Sequence, residues 1–545
     1  MKQYPSIFND VIGPVMVGHS SSHTAASVRI GNVIRQLAEA YASSDEKKSP
    51  VKKISFSFDV NSSLATTYHG QGSDIGLLAG LLGFETHDKR IKDAYKYADE
   101  EKINYSFEVK EIGEGHPNAY YVDFTDSKGN RLFLTALSTG GGMIEIVDFM
   151  GFLVSIDGGF FETLIICENS ESATSIKKEI NKTYSNKVAI NISEKSGESS
   201  GEPVEKSTEE STGEYLINVK SDEDIKLDFP EAKIFKIKPV LPVMSQINLS
   251  VPFVTAAEII NYSEKNQKQF WELAVLYESE RSRLSPEEVL KKMENIVARL
   301  KVSLEEPLCE TPLLKEETKN RILPNQSFLI EKANTLGGSF NKNVIKYVTK
   351  FMDIKTSMGI FVAAPTAGSC GCVSGCIFAL AEELKLSDEV MAKAFLSAGL
   401  IGVLIAHSST FAAELCGCQA ECGSGSGMCA AACAWLLGGS VKTCLAAASM
   451  ALQSILGLVC DPVGNKVEVP CLGKNIMSAF NAIASANMAA AGFAEVIPLD
   501  ETITAMDAVG RSINRELRCT GLGGLSVTKA SQEILKTFGW DSPKS

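Results

Sequence analysis

The sequence predicts a multidomain protein: an α+β N-terminal domain, a small α/β insert and an all-α C-terminal domain. At 545 residues the chain is longer than one hydrophobic core usually fills, so two to four domains are expected. Strand and helix patterns alternate up to residue 246, and only helical patterns follow. Cysteine use is equally uneven, because 12 of the 14 cysteines lie between Cys370 and Cys519. We therefore place the domains at residues 1–157, 158–246 and 247–545.

The N-terminal domain mixes helix and strand patterns. Thr24 can cap a helix whose apolar residues recur with a period of 3.6. Residues 54–60 alternate between apolar and polar side chains, which is typical of a half-buried strand. Residues 105–109 and 119–124 are predicted as further strands.

The insert combines strand patterns at residues 161–167, 215–219 and 234–238 with a helical pattern at 173–183. This order resembles a small βαββαβ module of the ACT type, a fold often associated with amino-acid sensing. Residues 193–214 are almost all Ser, Glu, Gly, Lys and Thr. Such a segment has too little apolar surface to bury, which predicts a disordered loop.

The C-terminal domain contains five predicted helices. They span residues 256–276, 286–302, 329–350, 382–405 and 428–437. The stretches 391–407 and 428–460 are apolar, but neither gives about 20 uninterrupted residues suited to lipid. We interpret both stretches as buried helices.

The overall charge and the cysteines limit the kinds of partner and compartment. A formal net charge of −13 argues against nucleic acid and against anionic membrane surfaces as partners. No apolar segment of a signal peptide follows Met1, and the cysteines do not have the spread of a secreted disulfide scaffold. We therefore expect a cytoplasmic protein.

Three cysteines stand beside turn-forming residues. Gly417 precedes Cys418, Asp461-Pro462 follows Cys460, and Pro470 precedes Cys471. Turn backbone can direct thiolates inward towards a metal or an iron–sulfur cluster. Two alternatives remain open: packing, since a neutral cysteine is a small hydrophobe, and a zinc site, although the chain has no Cys-x-x-Cys pair. Cys429, Cys433 and Cys444 are interpreted as core residues.

A loop rich in hydroxyl groups precedes the first predicted helix. It reads Gly18-His19-Ser20-Ser21-Ser22-His23-Thr24. Hydroxyls and free N–H groups at a helix start can bind an anion such as a carboxylate. The alternative is an N-capping loop with two solvent-exposed histidines.

Several motifs together resemble the iron–sulfur L-serine dehydratases. Residues 364–371, 417–424 and 458–471 are similar to the α-type part of these enzymes, and residues 20–24, 69–74 and 138–143 to the β-type part. In that family the two parts occur as separate subunits or fused, with the β-type part first. This chain has the fused order.

The resemblance implies a lyase that removes water from L-serine and yields pyruvate and ammonia. It implies a [4Fe–4S] cluster as cofactor, held by Cys418, Cys460 and Cys471. Its open iron would act as a Lewis acid towards the substrate hydroxyl. His23 and His69 are candidates for the catalytic base, because imidazole titrates near neutral pH.

The remaining polar residues of these motifs would bind the substrate carboxylate or ammonium group: Ser20, Ser22, Thr24, Ser138 and Thr139. One departure from the family concerns Cys519, which stands where relatives usually carry an acidic residue. Cys519 either approaches the cluster as a resting ligand or packs in the core.

Other functions compete with serine dehydration. The same chemistry on L-threonine or L-cysteine is one alternative, since a single methyl group gives only roughly 1–3 kcal/mol of discrimination. A second is a non-catalytic amino-acid sensor with a structural cluster. A pyridoxal-phosphate enzyme would need a Schiff-base lysine, for which the sequence shows no motif. We expect a homodimer that acts on a small molecule.

Overall fold

The structure is a computed structural model. It describes residues 4–40, 50–113, 115–126, 128–195, 213–306, 308 and 321–538. Two sheets occupy the N-terminal half, and helices dominate from residue 256 onwards. This confirms a multidomain protein with a sheet-containing N-terminal region and a helical C-terminal region.

The first sheet has six strands in the order β3-β2-β4-β5-β6-β7. Its strands are β2 (Val51–Asp59), β3 (Asn104–Lys110), β4 (Ala119–Asp126), β5 (Arg131–Gly140), β6 (Met143–Phe149) and β7 (Phe152–Ile156). Only the β2–β3 pair is parallel among these neighbours. The strands predicted at 54–60, 105–109 and 119–124 are confirmed as β2, β3 and β4.

Helices cover one face of this sheet. They are α1 (Ala26–Glu39), α2 (Leu64–Thr67), α3 (Ser73–Leu81) and α4 (Ala94–Glu100). Helices α1 and α3 touch through glycines, since a Cβ at Gly80 would lie 2.2 Å from the Val28 carbonyl oxygen. The prediction that Thr24 caps α1 is wrong: Thr24 lies inside a π-helical turn, Ser21–Ala25, whose N-cap is Ser20.

The second sheet has four strands in the order β11-β8-β10-β9, and all neighbours are antiparallel. Its elements are β8 (Phe161–Cys167), α5 (Ser170–Tyr184), β9 (Val188–Glu194), β10 (Tyr215–Ser221) and β11 (Lys233–Ile237). Helix α5 packs on the sheet through Ala173 and Ile180, which are buried. Most of the predicted disordered loop, residues 196–212, lies outside the described residues.

The helical region begins with α6 (Ala256–Asn266), α7 (Phe270–Ser282), α8 (Pro286–Leu304), α9 (Ser327–Lys332), α10 (Gly338–Thr356), α11 (Cys370–Leu384) and α12 (Asp388–Ser408). It continues with α13 (Ala413–Cys416), α14 (Ser424–Leu436), α15 (Val441–Gln453), α16 (Cys471–Ala490), α17 (Leu499–Ser512) and α18 (Lys529–Thr537). Three helices predicted as continuous are broken in two. Gln267 and Lys385 adopt left-handed backbone between the halves of two of them, and Gly337 does so in the third.

The N-terminal segment packs into the helical core rather than against the first sheet. Ile7, Phe8 and Val11 are fully or almost fully buried in the same cluster as α7, α8 and α12. A short strand β1 (Val15–Met16) pairs with β12 (Phe361–Val362), which precedes α11. This segment therefore carries the Ser20–Thr24 loop directly to the helical region.

Two described helical segments are long and apolar enough to cross a bilayer by length and composition alone. They are Ala367–Leu384 and Asp388–Ser408, and 72% and 78% of their residues in the apolar window are buried inside the protein. Both segments thus pack as core helices, as the sequence predicted for residues 391–407.

Candidate active site

The loop before α1 has a backbone that only glycine tolerates easily. Gly18 has a φ of +121°, and a Cβ there would lie 2.4 Å from Cγ2 of Thr24. The π-helical turn that follows is capped by Ser20, whose Oγ accepts a hydrogen bond of 3.3 Å from the His23 backbone N–H. This local geometry turns the side chains of Ser20, Ser22 and His23 towards one another.

His23 is fully buried and surrounded by hydroxyl groups. Its Nε2 lies 2.8 Å from Oγ1 of Thr67, and its Nδ1 lies 3.2 Å from the Oγ atoms of both Ser20 and Ser22. Burial lowers the pKa of His23 to about 4, although the nearby Glu414 carboxylate acts in the opposite direction. His23 is therefore neutral at physiological pH and able to accept a proton.

Glu414 joins this loop to the cysteine-rich region. Its Oε1 accepts a hydrogen bond of 3.0 Å from Ser22 Oγ and lies 3.7 Å from His23 Nδ1. Its Oε2 is buried and has no partner among the described residues. Glu414 was missed by sequence reasoning, because an isolated acid on a four-residue helix gives no signal of its own.

His69 occupies a different environment from His23. Its side chain is 52% exposed, and its Nδ1 pairs with the buried carboxylate of Asp74. The same carboxylate accepts a hydrogen bond of 2.7 Å from the Tyr95 hydroxyl. The hydrogen bond to Asp74 raises the pKa of His69. The structure thus separates the two predicted base candidates into a buried neutral imidazole and a half-exposed one paired with a carboxylate.

Thr24 has a different partner from Ser20 and Ser22, whose hydroxyls contact His23. Its Oγ1 donates a hydrogen bond of 2.9 Å to the Gln71 carbonyl oxygen, and the residue is fully buried. Thr24 therefore fixes the 69–74 segment against the loop that carries Ser20 and Ser22.

Four buried cysteines form a separate small cluster, which we term the cysteine site. It contains Cys418, Cys422, Cys460 and Cys519. Hydrogen bonding with Cys519, burial and the nearby Cys418 raise the pKa of the Cys460 thiol well above its usual value. Cys471, the first residue of α16, is buried beside Cys418, and its pKa is raised chiefly by burial. Cys418, Cys460 and Cys519 thus share one cluster, and Cys471, in the adjoining helical core, interacts electrostatically with Cys418.

Backbone turns position these thiols. Gly417 has a φ of +70°, and the Gln419 N–H donates 3.0 Å to the Leu458 carbonyl oxygen, which joins the two turns that carry Cys418 and Cys460. Cys460 and Cys519 are linked by an N–H to carbonyl hydrogen bond of 2.8 Å. The Cys519 thiol interacts with that of Cys460, and both interpretations of Cys519, approach to a cluster and packing, stay predictions.

One buried and one partly buried lysine border the cysteine site. Lys474, the partly buried one, donates hydrogen bonds of 2.6 Å to the Val459 carbonyl oxygen and 2.9 Å to Asp461. Burial acts to lower the pKa of Lys474, but the adjacent sulfur atoms of Cys418 and Cys460 and the Asp461 carboxylate outweigh burial and raise it. Lys355 is fully buried and donates 2.6 Å to the Val467 carbonyl oxygen. These cations favour negative charge at the sulfur atoms.

Hydrogen bonds between the two halves of the chain bring the histidine loops to the cysteine site. Ser63 Oγ donates 2.7 Å to the Cys519 carbonyl oxygen. Thr66 Oγ1 donates 2.7 Å to the Thr520 carbonyl oxygen. Gln71 Nε2 donates 3.4 Å to the Cys519 sulfur. Segment 63–71 therefore lies directly against the sulfur cluster.

Residues 138–142, the turn at the end of β5, lie against the Ser20–Thr24 loop: a Cβ at Gly142 would be 3.4 Å from the Ser21 carbonyl oxygen. Ser138 is fully buried, and its Oγ has no hydrogen-bond partner among the described residues. Thr139 faces a cavity of about 600 Å³ that is also lined by Asn218, Lys220 and Arg281. The structure thus places Ser138 inward and Thr139 on a cavity shared with the second sheet.

Two further polar residues that sequence reasoning missed lie beside this turn. Asn118 is fully buried, and neither atom of its side-chain amide has a partner among the described residues. Burial lowers the pKa of His116, while the nearby Glu414 carboxylate opposes this. The triplet His116-Pro117-Asn118 was the available signal. Unpartnered buried polar groups need a partner, so Asn118 and Ser138 are suited to bind a polar ligand.

Glu421 is a fourth residue that sequence reasoning missed. It follows Cys418 by three positions, and its Oε1 accepts a hydrogen bond of 2.7 Å from Thr366 Oγ1. Burial raises the pKa of Glu421 to about 7. A carboxyl group of this kind, next to the cysteine site, can hold or release a proton near neutral pH.

The arrangement defines an enzyme-like site: buried thiols, a neutral imidazole and unpartnered polar groups supplied by distant segments. Residues 265–526 match the family model "Serine dehydratase alpha chain". The chain is 34% identical over 284 residues to the L-serine dehydratase α chain of Peptoniphilus asaccharolyticus, covering 52% of this chain and 97% of that one. It is also 41% identical over 164 residues to the probable L-serine dehydratase β chain of Bacillus subtilis, covering 30% of this chain and 69% of that one.

A third relative is L-serine dehydratase 1 of Escherichia coli. It is 35% identical over 191 residues, which cover 34% of this chain and 42% of that protein. The chain therefore belongs to the L-serine dehydratase family, with β-type and α-type parts fused in one polypeptide.

Proposed function

We propose that this protein is an L-serine ammonia-lyase, which eliminates water from L-serine and yields pyruvate and ammonia. The observation that carries the proposal is the meeting of two segments that resemble different chains of the relatives. The 63–71 segment and the Ser20–Thr24 loop contact the cysteine site and Glu414 through side-chain hydrogen bonds. Relatives named for serine dehydration match both parts.

The donor set at the cysteine site fits an iron–sulfur cluster. Several thiols converge in a buried space, and the adjacent Lys474 favours their negative charge. We infer that Cys418, Cys460 and Cys471 would hold a [4Fe–4S] cluster. When bound, such a cluster with one open iron supplies a Lewis acid for the substrate hydroxyl.

His23 is the base that the geometry favours. Its neutral imidazole can accept the α-proton of serine, and the Glu414 carboxylate 3.7 Å from Nδ1 would stabilise the imidazolium that results. Loss of the α-proton and of the β-hydroxyl leaves 2-aminoacrylate. That product tautomerises and hydrolyses to pyruvate and ammonia without further help from the protein.

The substrate's charged groups require polar partners within the buried space. Ser20, Ser22 and Ser138 offer hydroxyls, and Asn118 offers an amide with both atoms unpartnered among the described residues. Thr24 acts indirectly, because its hydroxyl holds the Gln71 carbonyl. Thr139 lines the neighbouring cavity and stays a predicted substrate-binding residue. His69, half-exposed beside Asp74, is the second candidate for proton transfer, at the edge of the site.

The second sheet supports the proposal of an ACT-like module. Its strand order β11-β8-β10-β9 and its antiparallel pairing are those of a βαββαβ unit. Residues 222–232, where the second helix of such a unit would lie, form no helix. The module is thus a reduced version of the predicted pattern.

The decisive experiment is anaerobic purification, reconstitution with iron and sulfide, and a pyruvate assay with L-serine. We expect pyruvate and ammonia in equal amounts from the reconstituted protein, and loss of activity when iron is removed. Undiminished activity of iron-free protein would contradict the cluster. If fully reconstituted protein forms no 2-oxo acid from L-serine, L-threonine or L-cysteine, the proposed elimination reaction is contradicted.

A further inference from the structure

A second group of buried cysteines lies outside the cysteine site. It comprises Cys372 and Cys376 on α11, and Cys429 and Cys433 on α14. Both pairs are four residues apart, so each places its two thiols on one face of its helix. Cys372, Cys376 and Cys429 are fully buried, and Cys433 is 4% exposed.

The sulfur atoms of this group converge between the two helices. The Sγ atoms of Cys376 and Cys433 lie 3.7 Å apart, and those of Cys429 and Cys433 lie 3.8 Å apart. The Sγ atoms of Cys376, Cys429 and Cys433 all lie within 4.8 Å of one another. Hydrogen bonding with Cys372, then with Cys376 and Cys433, raises the pKa of the Cys429 thiol, so Cys372 borders this group of three.

These distances suit a tetrahedral metal ion. With Zn–S bonds of about 2.3 Å, the sulfur atoms of a tetrahedral tetrathiolate stand about 3.8 Å apart. The two sulfur–sulfur distances measured here match that edge length. An ion could therefore enter with little movement of the helices.

The backbone around the group is held in place independently of the thiols. The Cys372 N–H donates a hydrogen bond of 3.0 Å to Oδ1 of Asn475, which fixes the start of α11. Gly425, near the start of α14, lies close to Cys372, and a Cβ added there would be 3.6 Å from the Cβ of Cys372. The helices thus approach closely beside the three converging thiols, as a preorganised site requires.

We propose that Cys376, Cys429 and Cys433 form a second metal site that binds one thiophilic divalent cation such as Zn²⁺, with Cys372 bordering the fourth position. The site is distinct from the cysteine site: Cys429 follows Cys422 by seven residues, or about two helical turns. Buried thiolates supplied by two helices are typical of a structural type of site, which would pin α11 to α14. The sequence interpretation of Cys429 and Cys433 as plain core residues then gives way to a role as ligands.

The test measures zinc in the full-length protein after anaerobic reconstitution with iron and sulfide, so that iron already occupies the cysteine site. We expect one zinc per chain to survive gel filtration, with a sulfur shell at about 2.3 Å in zinc X-ray absorption spectra. Cobalt added in place of zinc should give thiolate-to-metal charge-transfer absorption. Zinc that is absent, or bound by nitrogen and oxygen, would overturn the proposal.

Variants assign the metal to these residues. The isosteric double variant Cys376→Ser/Cys429→Ser should lose at least nine tenths of the zinc and the cobalt absorption. Cys444→Ser, at a fully buried cysteine on α15, and Cys460→Ser, at the cysteine site, should both keep them. A double variant that binds zinc as the parent does would refute the site.

If the double variant fails to fold, a single substitution still tests the site. Cys433→Ser removes one of the three converging thiols and should weaken cobalt binding at least tenfold in competition with a chelator, while circular dichroism stays unchanged. Unaltered cobalt affinity in this folded variant would equally overturn the proposal. The outcome is independent of serine turnover, which the zinc readouts do not involve.

Discussion

The side-chain amide of Gln71 donates a 3.4 Å hydrogen bond to the sulfur of Cys519, a residue 448 positions further along the chain. The backbone carbonyl of Gln71 meanwhile accepts from Thr24. One residue thus connects the hydroxyl-rich loop before α1 to the cysteine site. The β-type and α-type parts of the chain form one site through this contact.

The Gln71 contact can be tested by Gln71→Ala. A hydrogen bond of this kind contributes about 1 kcal/mol, so we expect kcat/KM for L-serine to fall about fivefold to tenfold, with iron content unchanged. Gln36→Ala is the matched control, because Gln36 is a surface residue that bonds the Lys238 carbonyl oxygen far from the site. Equal activity of both variants would show that the contact has no catalytic consequence.

The pH profile distinguishes His23 from His69 as the base. A base works only when unprotonated, so kcat/KM falls as pH drops through its pKa. If His23 is the base, with a pKa of about 4, kcat/KM should stay constant from pH about 8 down to about 5.5. With His69, whose pKa is raised above 6.5, activity should already decline around neutrality.

Substitution of the two histidines completes this test. We expect His23→Ala to lower kcat at least about 100-fold, the usual contribution of a positioned base, with cluster absorbance intact. In His69→Ala, kcat/KM should still be constant from pH about 8 down to about 5.5. A larger kcat loss in His69→Ala than in His23→Ala would reverse the assignment.

The cysteine site predicts which thiols carry iron. Cys460→Ser should bleach the brown colour of reconstituted protein and lower its iron content by more than half, because a proposed cluster ligand is lost. Cys444→Ser serves as the control, since Cys444 is equally buried and its Sγ lies 4.0 Å from the Gly439 carbonyl oxygen, away from the cysteine site. Full iron content in Cys460→Ser would show that the proposed ligand set is wrong.

Two glycine substitutions, one at the contact between α1 and α3 and one on α16, are expected to change stability in opposite directions. A Cβ at Gly80 would lie 2.2 Å from the Val28 carbonyl oxygen, so Gly80→Ala should lower stability by about 2 kcal/mol. Gly473 on α16 has nothing within 4 Å of such a Cβ. Gly473→Ala should therefore raise stability by about 0.5–1 kcal/mol through helix propensity. Midpoints of thermal unfolding that shift in the same direction would contradict the packing described here.

The secondary structure was predictable where the side-chain period was clear. The alternation in residues 54–60 and the strand pattern in residues 161–167 predicted strands that the structure shows as Val51–Asp59 and Phe161–Cys167. The helix breaks at Gln267 and Lys385 were not predictable in this way. Neither residue is a glycine or proline, the types that usually mark such a break, yet each adopts a positive φ as the C-cap of its helix.

The candidate site was predictable only in part. Motif resemblance picked out His23 and the cysteines, whereas Glu414, Asn118 and His116 escaped notice. A buried carboxylate or amide indicates a binding site when no partner surrounds it. Whether partners surround it depends on the residues that pack against it in the fold, and not on its neighbours in the sequence.

The sequence by itself determined the local elements, the division into sheet and helical regions and the residue types available for chemistry, because these depend on short-range periodicity and on motifs. Tertiary structure alone decided which of two histidines is buried and neutral, and which thiols meet. Burial and sulfur–sulfur distance arise when segments hundreds of residues apart pack together. Their consequences for pKa and metal binding therefore exist only in the folded chain.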